Sequence, residues 1–460
     1  MSYQTVNPFN GETVKAFEQL TDAQLETAIE TAANCFEKWR LTTFAERGAI
    51  AAKAASLMRE RVDELARLVT LEMGKLIAEA KGEVELTAGV IDYYAKNAES
   101  FLAPEPLKPL SGEARIENAP LGVLLGIQVW NLPYHLLARF AAPNLMAGNV
   151  VVVKHAKSVP QCALAFEKLW LEAGAPAGVY TNLFISHDQV SRVIEDPRIK
   201  GVALTGSLAA GKAVAEQAGR NLKKSTMELS ANDAFIVLED ADLDKTVEWA
   251  VWAKMTLVGQ SCIAAKRFIV VEELADRFLE KFKTALSALT PGDPMDETTT
   301  LGPVSSEGAL VKLLKQVDQA VASGAKVVLG GKRIERPGTF MEATILMNLK
   351  PGNPAYREEF FGPVALMFRI KDEDEAVALA NDSDFGLGAS IFTRDVARGQ
   401  RLASRLNTGM VFINQPTWTA PELPFGGIMD SGYGRNLSCM GIQEFINKKV
   451  VRVASIDDPA

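Results

Sequence analysis

Cys262 closes the run Gly259-Gln260-Ser261-Cys262, the one place where any of the chain's four cysteines follows a glycine turn and a polar anchor. A thiolate there is a soft nucleophile that can attack an aldehyde carbon and form a thiohemiacetal. Upstream, Met227-Glu228-Leu229 sets a carboxylate among apolar neighbours, with Ala231 and Ala234 close behind. A carboxylate withdrawn from water binds protons more tightly, which suits a base that activates water near neutral pH. Against this, most free cysteines are small buried hydrophobes, and Cys35, Cys162 and Cys439 are assigned that way. A lone glutamate is ordinarily a solvated charge.

Two other segments have chemistry to offer. Thr205-Gly206-Ser207 ends an apolar run, and Gly211 follows at the mouth of an expected helix. Small residues there let a dinucleotide pyrophosphate reach free amide hydrogens at the helix N-terminus, although that glycine spacing alone is weak evidence. Val129-Trp130-Asn131-Leu132-Pro133 ends another apolar run, where an asparagine usually caps or turns.

Taken together, and with Ala265 and Arg267 after the cysteine, these segments resemble the aldehyde dehydrogenase superfamily over nearly the whole chain. The resemblance implies that Cys262 is the nucleophile, Glu228 the general base, and the Asn131 amide with the Cys262 N–H the oxyanion donors. It implies a cofactor site made by Trp130, Lys154, Gly206, Ser207, Gly211, Leu229, Glu359 and Phe361. Most members carry two glycines after Glu-Leu, where this chain has Ser230 and Ala231, so packing beside the nicotinamide is expected to differ. Members preferring NAD often carry glutamate where Lys157 stands. A lysine removes repulsion of a 2′-phosphate, so both NAD and NADP are expected as cofactors.

Arg139 bears on the substrate. It follows His135 by four residues on the helix expected after Asn131, so the two share a face. In members acting on succinate semialdehyde this position is arginine, whose planar fork suits the distal carboxylate. The competing reading is a helix-surface arginine held in an ion pair, with an uncharged or aromatic aldehyde as substrate. A second arginine of that subfamily is replaced by Thr256, and Thr419 retains a hydroxyl where those members carry serine. The substrate set is therefore Arg139, His135, Thr256 and Thr419, with no metal. Ala264 stands where some members have a second cysteine, so no redox pair is expected in the motif.

These residues need a scaffold, and the hydrophobic pattern supplies one. Thr21–Arg40 has a helical period through Leu25, Ile29, Ala32, Phe36 and Trp39, and a second helix capped by Thr43 and Glu46 is expected to run to Gly74. From Val123 onward, short β-branched runs alternate with helical stretches: Val123–Val129, Val150–Lys154, Thr181–Ile185 and Val202–Thr205. A second series comprises Phe235–Leu238, Arg267–Val271, Lys326–Leu329, Val364–Ile370, Ser390–Thr393 and Met410–Asn414. The expected fold is α/β, aldehyde dehydrogenase-like, with two doubly wound lobes and a small β oligomerisation element. Residues 1–106 and 121–227 are assigned to the dinucleotide-binding domain and 228–440 to the catalytic domain. The excursion 107–120 and the tail 441–460, with its strand Lys448–Ala454, form the oligomerisation element.

Length, 460 residues, fits two or three lobes, and 48% hydrophobic with 23% charged residues is globular. A net charge of −8 without a basic stripe argues against a nucleic-acid partner. Scattered cysteines fit neither a disulfide framework nor zinc, and no apolar run approaches a membrane span. A cytoplasmic enzyme, dimeric or tetrameric, with a small-molecule aldehyde substrate is expected.

Overall fold

The computed structural model describes residues 3–457. The first two residues of the expected nucleotide domain and the last three of the expected tail lie outside them. Thr21 accepts from the Gln24 N–H and starts the helix Asp22–Trp39, while Thr43 and Glu46 form the reciprocal cap of Phe44–Glu60. The second helix stops short of Gly74. It ends at Arg61, and a separate helix, Val62–Met73, runs on to Gly74, which closes it at φ 84°. Both helices lay apolar faces on one core, so the period continued across a break it could not register.

The first sheet has six strands in the order Gly432–Tyr433, Lys224–Glu228, Ile199–Thr205, Val123–Ile127, Val150–Lys154, Tyr180–Asn182. All pairings are parallel except that of Gly432–Tyr433. The second sheet has seven strands: Lys326–Leu329, Thr344–Met347, Val364–Ile370, Arg267–Val271, Ala234–Val237, Gly388–Phe392 and Met410–Ile413. Val150–Lys154 and Arg267–Val271 are buried along their whole length. Parallel strands covered on both faces must be, and that is why they stood out as continuous apolar runs. The strand expected at Thr181–Ile185 lies instead at Tyr180–Asn182, where its partner Val151–Val153 ends the pairing. Lys224–Glu228 and Thr344–Met347 were not anticipated: the first is largely polar, and the second has only the short β-branched pair Thr344-Ile345.

Each sheet has its own apolar core, one containing Val151 and Leu204, the other Phe268 and Ile391. After residue 413 the chain returns to the first core, where Phe425, Leu437, Ile442 and Phe445 are buried. The terminal strand, Ile446–Val453, pairs antiparallel with Glu113–Pro120 of the same chain, and Glu105–Leu107 completes a three-stranded sheet. No helix among the described residues is long and apolar enough to cross a membrane.

Candidate active site

Strand register decides where the functional groups gather. Ile127 lies opposite Lys154 and Leu204, and Thr205 lies opposite Glu228, so the carboxyl ends of the first sheet form one rim. Ligands bind at such rims in parallel α/β sheets. A cavity of about 860 Å³ opens there, bounded on its far side by the Cys262 turn that precedes Arg267–Val271. Trp130, Asn131, His135, Arg139, Lys154, Lys157, Gly206, Ser207, Glu228, Leu229, Cys262, Glu359, Phe361 and Thr419 all line it.

Two sequence candidates do not. Gly211 lies one layer beneath, where a Cβ would come within 2.4 Å of Leu229, so its lack of a side chain seats Leu229 at the wall. Thr256 turns its hydroxyl back to the Trp252 carbonyl at 2.8 Å, held by the last turn of its own helix.

The Cys262 turn is built from unusual backbone. Leu257, Val258 and Gly259 have φ of 56°, 56° and 72°, a left-handed run that a β-branched residue rarely adopts. Only glycine fits the third position, since a Cβ on Gly259 would lie 2.2 Å from the Gly362 carbonyl oxygen. Glu79 accepts from the Leu257 N–H at 2.9 Å, and Gln260 accepts from the Ser305 N–H at 2.9 Å, pinning both ends of the turn. Burial pushes the Cys262 thiol well above its ordinary range; the Glu228 charge adds to this, and Arg139 and Lys266 oppose it. The resting nucleophile is therefore a thiol, and the Glu228 carboxylate lines the same cavity.

Asn131 precedes the helix Pro133–Ala147 and donates from Nδ2 to the Gln260 carbonyl at 3.1 Å, tying the oxyanion candidate to the nucleophile turn. Glu83, paired with Lys75, accepts from the N–H groups of Tyr134 and His135 at 2.8 and 3.1 Å. A carboxylate at that helix N-terminus satisfies unpaired donors and complements the helix dipole.

Arg139 is not on a helix surface. It is 4% exposed, donates to Glu228 Oε2 at 3.1 Å and to Thr205 at 3.3 Å, and lies over the Phe425 ring at 4.5 Å. The two buried charges compensate each other, and Glu228 Oε1 has no partner among the described residues. His135, driven down to about 3 chiefly by burial, is a neutral imidazole, with Nε2 3.4 Å from the Thr419 hydroxyl.

At the other end of the cavity Lys154 is pushed down to about 8 by burial and by the neighbouring Lys157, and no carboxylate pairs with it among the described residues. Lys157 lines the same end of the cavity, with its Nζ over the Tyr3 ring at 5.7 Å. Ser207 caps the helix Leu208–Arg220, whose first N–H groups open on the cavity beside Gly206. Trp130 meets Phe361 edge-on at 5.7 Å, and Glu359 Oε1 accepts from the Ala231 N–H at 3.1 Å. These donors and surfaces fit a nicotinamide dinucleotide. The sequence reading missed Lys266, Glu79, Glu83, Lys75 and Phe425. The one available signal was the four-residue spacing of Glu79 and Glu83 on an otherwise apolar helix face.

A cysteine turn, a buried glutamate and an asparagine meet at the end of a nucleotide-type cleft, and the aldehyde dehydrogenase family profile matches residues 1–451: the chain belongs to that family. It is 52% identical over 450 residues to the succinate-semialdehyde dehydrogenase (NADP(+)) of Deinococcus radiodurans, covering 98% of this chain and 94% of that one. The probable succinate-semialdehyde dehydrogenase (NADP(+)) of Synechocystis is 44% identical over 454 residues, 99% of this chain and 100% of its own. Among solved structures, succinic semialdehyde dehydrogenase from Streptococcus pyogenes in complex with NADP+ superposes with a TM-score of 0.97 at 44% identity, covering 98% of this chain and 100% of that one.

Proposed function

We propose that this chain oxidises succinate semialdehyde to succinate with NADP, and accepts NAD as well. The observation that carries the substrate is a buried arginine beside the nucleophile and the base, with the Thr419 hydroxyl lining the same pocket. A guanidinium there can grip the carboxylate at the far end of a short semialdehyde. The names of the relatives agree.

In this reading Glu228 takes the Cys262 proton and Sγ bonds to the aldehyde carbon. The Asn131 amide and the Cys262 N–H donate to the resulting oxyanion; one such donor is worth about 2.7–4 kcal/mol in comparable sites. A bound nicotinamide would supply the hydride acceptor, and loss of hydride from the thiohemiacetal carbon would leave a thioester on Cys262. Glu228 gives the first proton, that of the thiol, up to solvent and then takes one from water as the water oxygen bonds to the thioester carbon. The carbon–sulfur bond breaks, the Cys262 thiolate takes the proton back from Glu228, and succinate leaves. His135 stays neutral and orients Thr419. Lys154 and Lys157 hold the adenosine ribose and its phosphate, and Glu359 the nicotinamide ribose.

A second reading has one observation in its favour. Arg139 already pairs with Glu228, so its charge has a partner without substrate. In that case the enzyme takes uncharged aldehydes. We further infer a homodimer or homotetramer through the three-stranded sheet, whose Val450 and Val453 are 62% and 57% exposed. Residence in the cytoplasm fits four free cysteines.

The test measures cofactor reduction by succinate semialdehyde with NADP and with NAD, in the native chain and in Lys157→Glu. Succinate should appear one-for-one with reduced cofactor. The substitution should weaken NADP at least about tenfold more than NAD, since a charge-assisted contact is worth about 1.5–3 kcal/mol. No reduction of either cofactor would overturn the activity, and equal weakening would remove Lys157 from the ribose site.

A further inference from the structure

Lys266 is fully buried beside the nucleophile turn, and no step above uses it. Its Nζ donates to the Ser261 carbonyl at 2.9 Å and also to the Cys262 carbonyl. Glu359 Oε1 lies 3.5 Å from the same nitrogen. The backbone holds the residue in place, because its N–H donates to the Asp233 carbonyl at 3.1 Å where Arg267–Val271 begins to pair with Ala234–Val237. The charged groups facing it are Glu359, Asp233 and Lys254. Burial raises Asp233 to about 7 and drives Lys254 well down.

The Ser261 carbonyl and the Cys262 N–H are two ends of one peptide group. A cation on the carbonyl oxygen draws electron density along that group and makes its N–H a stronger donor, as hydrogen bonds in a chain reinforce one another. No acceptor for the Cys262 N–H exists among the described residues, so it is available to a ligand. We propose that Lys266 is a positioning residue that polarises the Ser261–Cys262 peptide toward the oxyanion, and that Glu359 sets how much of its charge acts there. This rests on Cys262 as the nucleophile. Glu359 is also the expected partner of the cofactor ribose, so the ligand-binding end and the oxyanion end of the cleft share one ion pair, buried at Lys266 and open to the cavity at Glu359. The Lys266 charge also opposes the burial and the Glu228 charge that hold the Cys262 thiol protonated.

Two substitutions of opposite sign test this, read without cofactor as the rate of Cys262 alkylation by iodoacetamide, followed by peptide mass. Lys266→Gln keeps a donor for the carbonyls and removes the charge. It should slow alkylation at mildly alkaline pH about tenfold, with the rate–pH profile displaced upward. In turnover it should lower kcat about tenfold and leave KM for the aldehyde nearly unchanged, because the oxyanion exists only past the ground state. Glu359→Gln leaves Lys266 uncompensated and should speed alkylation. A native-like alkylation rate in Lys266→Gln would make Lys266 purely structural, as would slower alkylation in Glu359→Gln. If Lys266→Gln does not fold, as thermal unfolding would reveal, the sign of the Glu359→Gln effect decides alone. Wild-type turnover that survives complete Cys262 alkylation would instead overturn the nucleophile assignment beneath both.

Discussion

Cys262→Ala should lower turnover of succinate semialdehyde by at least about 10⁴-fold, because removing the nucleophile removes every step that follows it. The loss should be purely chemical. The Cys262 backbone would keep its bond to Lys266, and the turn is fixed by Gln260 and Glu79 through contacts that do not involve Sγ. Thermal unfolding and cofactor binding should therefore stay near native values while cofactor reduction stops. Substantial turnover in a folded Cys262→Ala protein would contradict the assignment, since Cys35, Cys162 and Cys439 do not line the cavity.

Glu228→Gln should lower turnover by about 10²–10⁴-fold, the usual contribution of a positioned base. Its two tasks suffer unequally, although an amide accepts neither proton. The Cys262 thiol can still ionise to solvent at alkaline pH, with the Arg139 and Lys266 charges favouring the thiolate, whereas water loses the base that activates it. With succinate semialdehyde and NADP the variant should accumulate a succinyl group on Cys262, visible by peptide mass, because thioester hydrolysis is slowed more than its formation. Stability should fall as well. Arg139 would face an amide rather than a carboxylate with both side chains 3% exposed, and breaking a buried pair typically costs about 3–5 kcal/mol. Retaining an amide oxygen as acceptor should keep the loss below that range. Native turnover with no acyl adduct would remove Glu228 from the mechanism.

The sequence made some of this legible and hid the rest for physical reasons. Strands buried on both faces, such as Val150–Lys154 and Arg267–Val271, announce themselves because apart from one terminal cation each is wholly apolar. Lys224–Glu228 begins exposed and ends buried, so the strand that delivers the base had no such signature. Cys262, Asn131 and Glu228 were found through motifs, and they converge on one cavity. What positions them was invisible. Lys266 and Glu83 are charges that composition assigns to the surface; they are buried only because the fold of the cysteine turn offers Lys266 two carbonyls, and Lys75 with two distant helix N–H groups meets Glu83. Arg139 was foreseen as a carboxylate ligand, but one carboxylate already bound to it, Glu228, could not be read from helix spacing.

That pairing makes one measurement decisive: kcat/KM for succinate semialdehyde against butanal, a neutral four-carbon analogue, with NADP. If Arg139 serves the substrate's carboxylate, a charge-assisted contact of about 1.5–3 kcal/mol predicts a preference of roughly ten- to a hundredfold for the semialdehyde. A ratio near one would contradict the carboxylate pocket and leave Arg139 as the partner of Glu228 alone.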